Sequence, residues 1–389
     1  MESTVAMTLT TLGVLLLLGL LADVIGQRSK IPRVTMLILL GMLMGEFGLD
    51  FIPDGTHESL EYITTTALTM IGFLLGGKLN QDSLKAHGHT ALVFSLLVTI
   101  GTFLSVFVGL KLIGLSSALA AVFACISLAT DPIATLDVLN NSTSRSRLKF
   151  VLPGIVALDD VFGLLLFAVV MALLTLTSGH GSGIELVFDA GIELFGSILL
   201  GIALGYPMAK LSGRIKEGEP IFIEALGMVM VCGGISLLFD LSYLLAGISM
   251  GLTVSLFASH HKFYFHEIEH VEMPFLMLFL ILLGASFKPG NWAVMSLIGL
   301  SYIGLRIAGR IIGAQWYYRT MLLNFRERTY LGLSLLPQAG VALAIAVYAQ
   351  REFPEVAQQV VGITIGATIV FELLGPMLTG WSLTKTDRD

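Results

Sequence analysis

Residues 151–175 read VLPGIVALDDVFGLLLFAVVMALLT, an apolar run long enough to cross a bilayer as a helix. Two adjacent carboxylates, Asp159 and Asp160, stand near its middle. Charge at bilayer depth is costly, so such a pair marks a functional site by default. Neighbouring helix residues point about 100° apart, so the two acids meet different surroundings. One can face a fixed cation while the other faces a wet cavity. The run stays apolar on both sides of the pair, which argues against a helix that simply ends there.

The rest of the chain has the same character. Of its 389 residues 55% are hydrophobic and only 13% charged, and the mean hydropathy is +0.86. This is the composition of a polytopic membrane protein rather than of several soluble domains, and a single membrane domain over residues 1–389 is expected. Cys125 and Cys232 both fall inside apolar runs, which excludes a disulfide framework. The first apolar run follows Met1-Glu2-Ser3 without a basic region or a small-residue cleavage pattern, so it reads as a retained helix rather than a signal peptide.

Runs of about 17 to 25 apolar residues give thirteen predicted spans, near 7–26, 32–49, 60–77, 90–112, 116–139, 151–175, 184–209, 220–240, 242–258, 272–287, 291–317, 329–350 and 358–382. The boundary at 240–242 is the least secure. Basic residues check the count. Connections after odd-numbered spans, with the C-terminal tail, hold Arg28, Lys30, Arg33, Lys78, Lys85, Arg145, Arg147, Lys149, Lys210, Arg214, Lys216, Lys262, Arg319, Arg326, Arg328, Lys385 and Arg388; the opposite connections hold only Lys111, Lys288 and Arg351. Seventeen against three is a strong positive-inside bias, placing the N-terminus outside and the C-terminus in the cytoplasm.

Spans five and twelve carry helix-breaking chemistry. The fifth reads SLATDPIATLDVL, with Thr130, Asp131 and Pro132 at its centre, and the twelfth reads SLLPQAGVALAIA, with Pro337 and Gly340. Proline removes a backbone donor and clashes with the preceding turn, so each helix is expected to open there. An acid-bearing span follows each break: Asp159 and Asp160 after the first, Glu372 after the second. Spans one to six and eight to thirteen then form two halves of opposite orientation. Interrupted helices at matching positions of two inverted repeats point to a transporter with its site near the midplane.

The chemistry follows from these positions. Asp131 at the opened helix can offset positive half-helix ends, and with the Thr130 hydroxyl and freed carbonyls it offers hard oxygen ligands to a small cation. Arg306 and Arg310 lie four residues apart on one face of the eleventh span. An arginine at that depth needs an acid, and Asp159, Asp160, Asp131 and Glu372 are the acids at hand; for Glu372 the first expectation is a structural pair with Arg306. All eight histidines lie outside the spans or at their edges, against a histidine relay. His266 and His270 have metal-binding spacing, but Phe265, Ile268 and Val271 form an apolar stripe between them, and an interfacial linker helix is the commoner reading.

The sequence TDP in an interrupted helix, ALDD one helix later, the pattern RxxGRxxGA and LLPQAG in a second interrupted helix, in that order, resemble the Asp-Asp branch of the monovalent cation:proton antiporter superfamily, with its sodium/proton antiporters. The resemblance covers nearly the whole chain. It implies an all-α fold of about thirteen transmembrane helices, with core helices near 60–175 and 291–382 and dimerisation or scaffold helices near 1–58 and 184–287. It also implies a homodimer that works by an elevator-like movement and exchanges Na+ or Li+ for protons, contributing to pH homeostasis. Asp160 matches the cation and proton site, Asp159 the acid paired to a basic residue of the eleventh span, and Thr130 and Asp131 the unwound crossing.

The chain departs from electrogenic members in carrying Arg310 where they have lysine. Arginine does not shed its proton; if it permanently neutralises Asp159, exchange is expected to be electroneutral. The partners implied are monovalent cations, protons and the lipid of a prokaryotic inner or plasma membrane, with no cofactor and no nucleic acid. Competing readings are a potassium/proton antiporter or potassium-efflux system of the same fold, and a sodium-coupled solute symporter. An aspartyl enzyme is disfavoured, because adjacent acids on one helix do not face each other for shared acid/base work.

Overall fold

The computed structural model describes residues 2–29, 31–46, 48–52, 57–78, 81–142, 144, 146–178, 183–211, 221–258, 261–287, 292–317, 323–338, 340–352 and 357–387. These form fifteen helices: α1 (Glu2–Ser29), α2 (Arg33–Met44), α3 (His57–Lys78), α4 (Gln81–Leu112), α5 (Ser117–Ile126), α6 (Pro132–Asn141), α7 (Leu148–Ser178), α8 (Gly183–Leu211), α9 (Ile221–Leu238), α10 (Tyr243–Phe257), α11 (His261–Ala285), α12 (Trp292–Trp316), α13 (Phe325–Ser334), α14 (Gly340–Glu352) and α15 (Ala357–Thr386). Each predicted span corresponds to one helix, except that the fifth is divided into α5 and α6 and the twelfth into α13 and α14. Among the described residues, six helices are long and apolar enough to cross a membrane by themselves.

The boundary between α9 and α10 has a local cause. Asp240 turns the chain with φ of 50°, a left-handed conformation that ends a helix and that aspartate tolerates. The Ser242 hydroxyl then caps α10 by accepting the Leu245 N–H at 3.3 Å.

The helices fall into two compact units. The first comprises Met1–Asp23, Leu39–Asp82 and Met171–Ser286, the second Val24–Ile38, Ser83–Val170 and Phe287–Asp389. The first is held by small residues. Gly72 and Gly76 of α3 meet the α10 backbone at Leu244 and Ile248, Gly247 and Gly251 of α10 meet Thr69 and Phe73 of α3, and Gly201 and Gly205 of α8 fit against Ala246 and Met250. Without a hydrophobic drive between helices in lipid, such close backbone approach supplies the packing. α3, which lies in the stretch 60–175, packs in the first unit, where its glycines interlock with those of α10. A methyl added at Gly251 would run into the Phe73 carbonyl oxygen. Gly251→Ala is therefore expected to lower the melting temperature in detergent, at a cost of about 1–3 kcal/mol; an unchanged melting curve would contradict this packing.

In the second unit α4 and α12 approach through Gly101, Gly309 and Gly313, and the Ser105 hydroxyl donates to the Leu305 carbonyl at 2.9 Å. Phe94, Leu152, Ile155, Leu331 and Leu335 are among the buried residues of its apolar cluster. Around it α15 packs on α12, α13, α14 and α6, and α14 on α5, which brings both helix breaks beside α12.

Candidate functional site

The first break runs between α5 and α6. Ser127 closes α5 by donating its N–H to the Phe123 carbonyl at 2.9 Å, and α6 restarts at Pro132, where a missing N–H costs nothing because that donor would have no helical partner. The second break runs from Leu335, the cap of α13, to Gly340 at the start of α14, with Pro337 buried between them. The Asp131 N–H donates to the Pro337 carbonyl at 2.9 Å, so a direct backbone bond joins the two breaks.

Helices interrupted in this way leave carbonyls without partners. Arg306 and Arg310, both fully buried, supply the donors. Arg306 gives Nε to the Ser127 carbonyl at 3.0 Å, Nη1 to Leu336 at 2.7 Å and Nη2 to Ala129 at 2.8 Å, with its guanidinium carbon 4.2 Å from the centre of the Phe371 ring. Arg310 gives Nη2 to Leu128 at 2.6 Å and to Ser127 at 3.3 Å. Its Nη1 pairs with the carboxylate of the equally buried Asp159, which also accepts the Thr99 hydroxyl at 3.2 Å. The guanidinium charges thus sit where half-helix C-termini concentrate negative partial charge.

These contacts place the expected residues. Arg310 is the arginine that meets Asp159. Thr130 is buried and Asp131 partly buried in the first break, Asp131 heading α6 as its carbonyl accepts the Thr135 hydroxyl at 2.9 Å. Residue 160 stands one turn before Gly163, the α7 glycine that packs on Leu128 in the break; the side chains of Asp160 and Pro132 lie outside the described residues. The expected pair of Glu372 with Arg306 does not form. Three open carbonyls take the guanidinium, and the carboxyl of Glu372 lies within hydrogen-bonding reach of that of Asp131. On α11 Ile268 is buried and Phe265 and Val271 pack with it, as the apolar stripe suggested, while His266 is exposed and the His260 and His270 side chains lie outside the described residues.

Sequence reasoning missed Thr99, whose hydroxyl completes the Asp159 environment, and Gln338, whose side chain meets the Tyr302 hydroxyl at 3.4 Å. Thr99 left only a weak signal, one of several hydroxyls in an apolar span. Gln338 stood inside the quoted LLPQAG and could have been marked as a buried amide.

The profile of the family described as "Sodium/hydrogen exchanger, transmembrane" matches residues 13–385. The chain is 24% identical over 344 residues to the ammonium/proton antiporter subunit AmhT of Alkalihalophilus pseudofirmus, covering 86% of this chain and 84% of that protein. It is 28% identical over 231 residues to sodium/proton antiporter 1 of Methanocaldococcus jannaschii, covering 58% and 53%. The fold matches that of the sodium proton antiporter MjNhaP1 from M. jannaschii at pH 8 with a TM-score of 0.78 and 21% identity, over 99% of this chain and all of the other.

Proposed function

Because the chain belongs to the sodium/hydrogen exchanger family, we propose that Asp160 is the carboxylate for which one monovalent cation and one proton compete, and that the exchange is electroneutral. The function itself is secondary active antiport of monovalent cations against protons across a membrane. The observation that carries the finer reading is the engagement of Asp159 by Arg310 and Thr99. A guanidinium keeps its proton, so the Asp159–Arg310 pair is a fixed, self-neutralised element. Asp160 is then left as the exchangeable acid of the pair. At membrane depth a bare carboxylate is disfavoured and a bound cation favours it, so each ion displaces the other. Loaded with either, the site can cross an apolar barrier that a bare carboxylate crosses only at high cost.

Thr130 and Asp131 are the further oxygen ligands proposed for the cation, beside the half-helix ends of the first break. Na+ and Li+ are the proposed cargo. The proposed arrangement is a homodimer in a prokaryotic inner or plasma membrane, with the N-terminus outside and the C-terminus cytoplasmic as the basic residues indicate, working by an elevator-like movement. The similarity to an ammonium/proton antiporter subunit favours a second reading in which the cargo is a larger cation, ammonium or K+.

The test is cation-induced proton movement in proteoliposomes holding a preset pH gradient, with Na+, Li+, K+ or ammonium added in turn, and with the membrane potential clamped and then free. Na+ or Li+ is expected to dissipate the gradient equally in both conditions. A transport current driven by a sodium gradient would overturn electroneutrality, and a response to K+ or ammonium alone would replace the cargo.

A further inference from the structure

One buried arginine stands apart from the machinery above. By sequence Arg328 belongs to the connection before the twelfth span, but it lies in the first turn of α13 and is only 8% exposed. Its Nε and Nη1 are buried and have no hydrogen-bond partner. The contrast with Arg306 is direct, since there all three nitrogens donate, each to a carbonyl. Glu327, the adjacent acid, is turned to the backbone instead, its Oε2 accepting the Asn324 N–H at 2.7 Å. A buried charge needs a partner of opposite sign, and a guanidinium with idle donors suits a carboxylate or phosphate held by two hydrogen bonds at once.

The place of Arg328 in the fold tells which anion can reach it. It shares a face of α13 with Leu331 and Leu335, three and seven residues on, and both belong to the buried apolar cluster, so its stem runs along apolar surface. Helical side chains lean toward the N-terminus, which carries the guanidinium to the start of α13, where the helix concentrates positive partial charge. That end is ringed by aromatic side chains. Phe325 opens the helix and is exposed, and its carbonyl accepts the side-chain amide of Gln315 at 2.8 Å, beside the exposed Trp316. On α15 the exposed Trp381 meets Tyr330 edge-on with ring centroids 5.3 Å apart, and the Lys385 ammonium stands 5.9 Å from the centre of the Trp381 ring. Exposed tryptophans beside a lysine mark the depth of the lipid headgroups.

We propose that Arg328 and the N-terminal turn of α13 form a site for the phosphate of an anionic membrane lipid. The phosphate takes the idle donors of the guanidinium, the acyl chains follow the aromatic rim into the bilayer, and the bound lipid supplies the counter-charge that Nε and Nη1 do not find in the protein. The site is independent of the role of Asp160.

Melting of the purified full chain in lipid nanodiscs tests it. In phosphatidylcholine, whose choline already balances its phosphate, Arg328→Gln is expected to melt at or above the native temperature, because it removes an unpaired buried charge. When part of the lipid is replaced by phosphatidylglycerol, the native chain is expected to gain stability and the variant not, so that the order reverses. In native mass spectrometry the native chain is expected to hold one phosphatidylglycerol about tenfold more tightly than Arg328→Gln does, with Arg328→Lys, which keeps the charge but not the fork, between them. Equal phosphatidylglycerol affinity of the native chain and Arg328→Gln would overturn the site. So would a lower melting temperature of Arg328→Gln in both lipids, the mark of a purely internal role. Inorganic phosphate added to the phosphatidylcholine discs is expected to leave the native chain unchanged; stabilisation of the native chain but not of Arg328→Gln would assign the site to a free anion and overturn the lipid as its source.

Discussion

Asp160→Asn is expected to reduce cation/proton exchange to the level of protein-free vesicles while the chain still folds and reconstitutes. Asparagine keeps the size and much of the hydrogen-bonding capacity of aspartate, so the change removes one property, the ability to hold either a proton or a cation by charge. Its neighbour does not replace it: Asp159 is bound to Arg310 and Thr99, and an arginine does not release its proton within the operating range. The measurement is the proteoliposome assay, with the amount and orientation of inserted protein verified. Exchange retained by Asp160→Asn but lost in Asp159→Asn would reverse the roles of the two acids.

Arg310→Ala is expected to have the largest effect on stability. It leaves the fully buried Asp159 carboxylate with the Thr99 hydroxyl alone and removes a donor from the carbonyls of Ser127 and Leu128. Breaking a buried ion pair from one side costs about 3–5 kcal/mol, a large part of the stability of an ordinary domain. The variant should melt well below the native chain in detergent or fail to accumulate. Adding Asp159→Asn should recover much of the loss, because the uncompensated charge is then gone. An equal melting temperature for Arg310→Ala and the native chain would show that the pair carries no structural burden. Arg310→Lys keeps a charge that can be given up on burial, and a transport current appearing only in that variant would identify arginine as the reason for electroneutrality.

The helical character of the chain and both helix breaks could be read from the letters because they depend on local properties: run length, the proline in TDP, and the proline and glycine in LLPQAG. That one acid of the pair would meet a fixed cation, as Asp159 meets Arg310, was likewise implied by the angle between neighbouring helix positions. Which arginine meets Asp159 was not legible, since Arg306 and Arg310 share a face and the deciding partners of Arg306 are backbone carbonyls, which no side-chain pattern reveals. The same gap misplaced Glu372: opposite charges suggested a pair with Arg306, but the open carbonyls of Ser127, Ala129 and Leu336 claimed the guanidinium. The placement of α3 depended on how glycines 72 and 76 meet glycines 247 and 251 across nearly two hundred residues, a register that a hydropathy profile does not contain.

Arg306 also bears on how the transporter can move. Its planar group is fastened at once to Ser127 and Ala129 in one break and to Leu336 in the other, while the Asp131 N–H bonds Pro337 across the same seam. Prying the seam open would strand several polar groups in a dry interior, at about 1–3 kcal/mol each. The crossing is therefore a riveted joint rather than a hinge, and a turnover that repeats many times must carry both breaks along as one stiff part and bend the chain elsewhere.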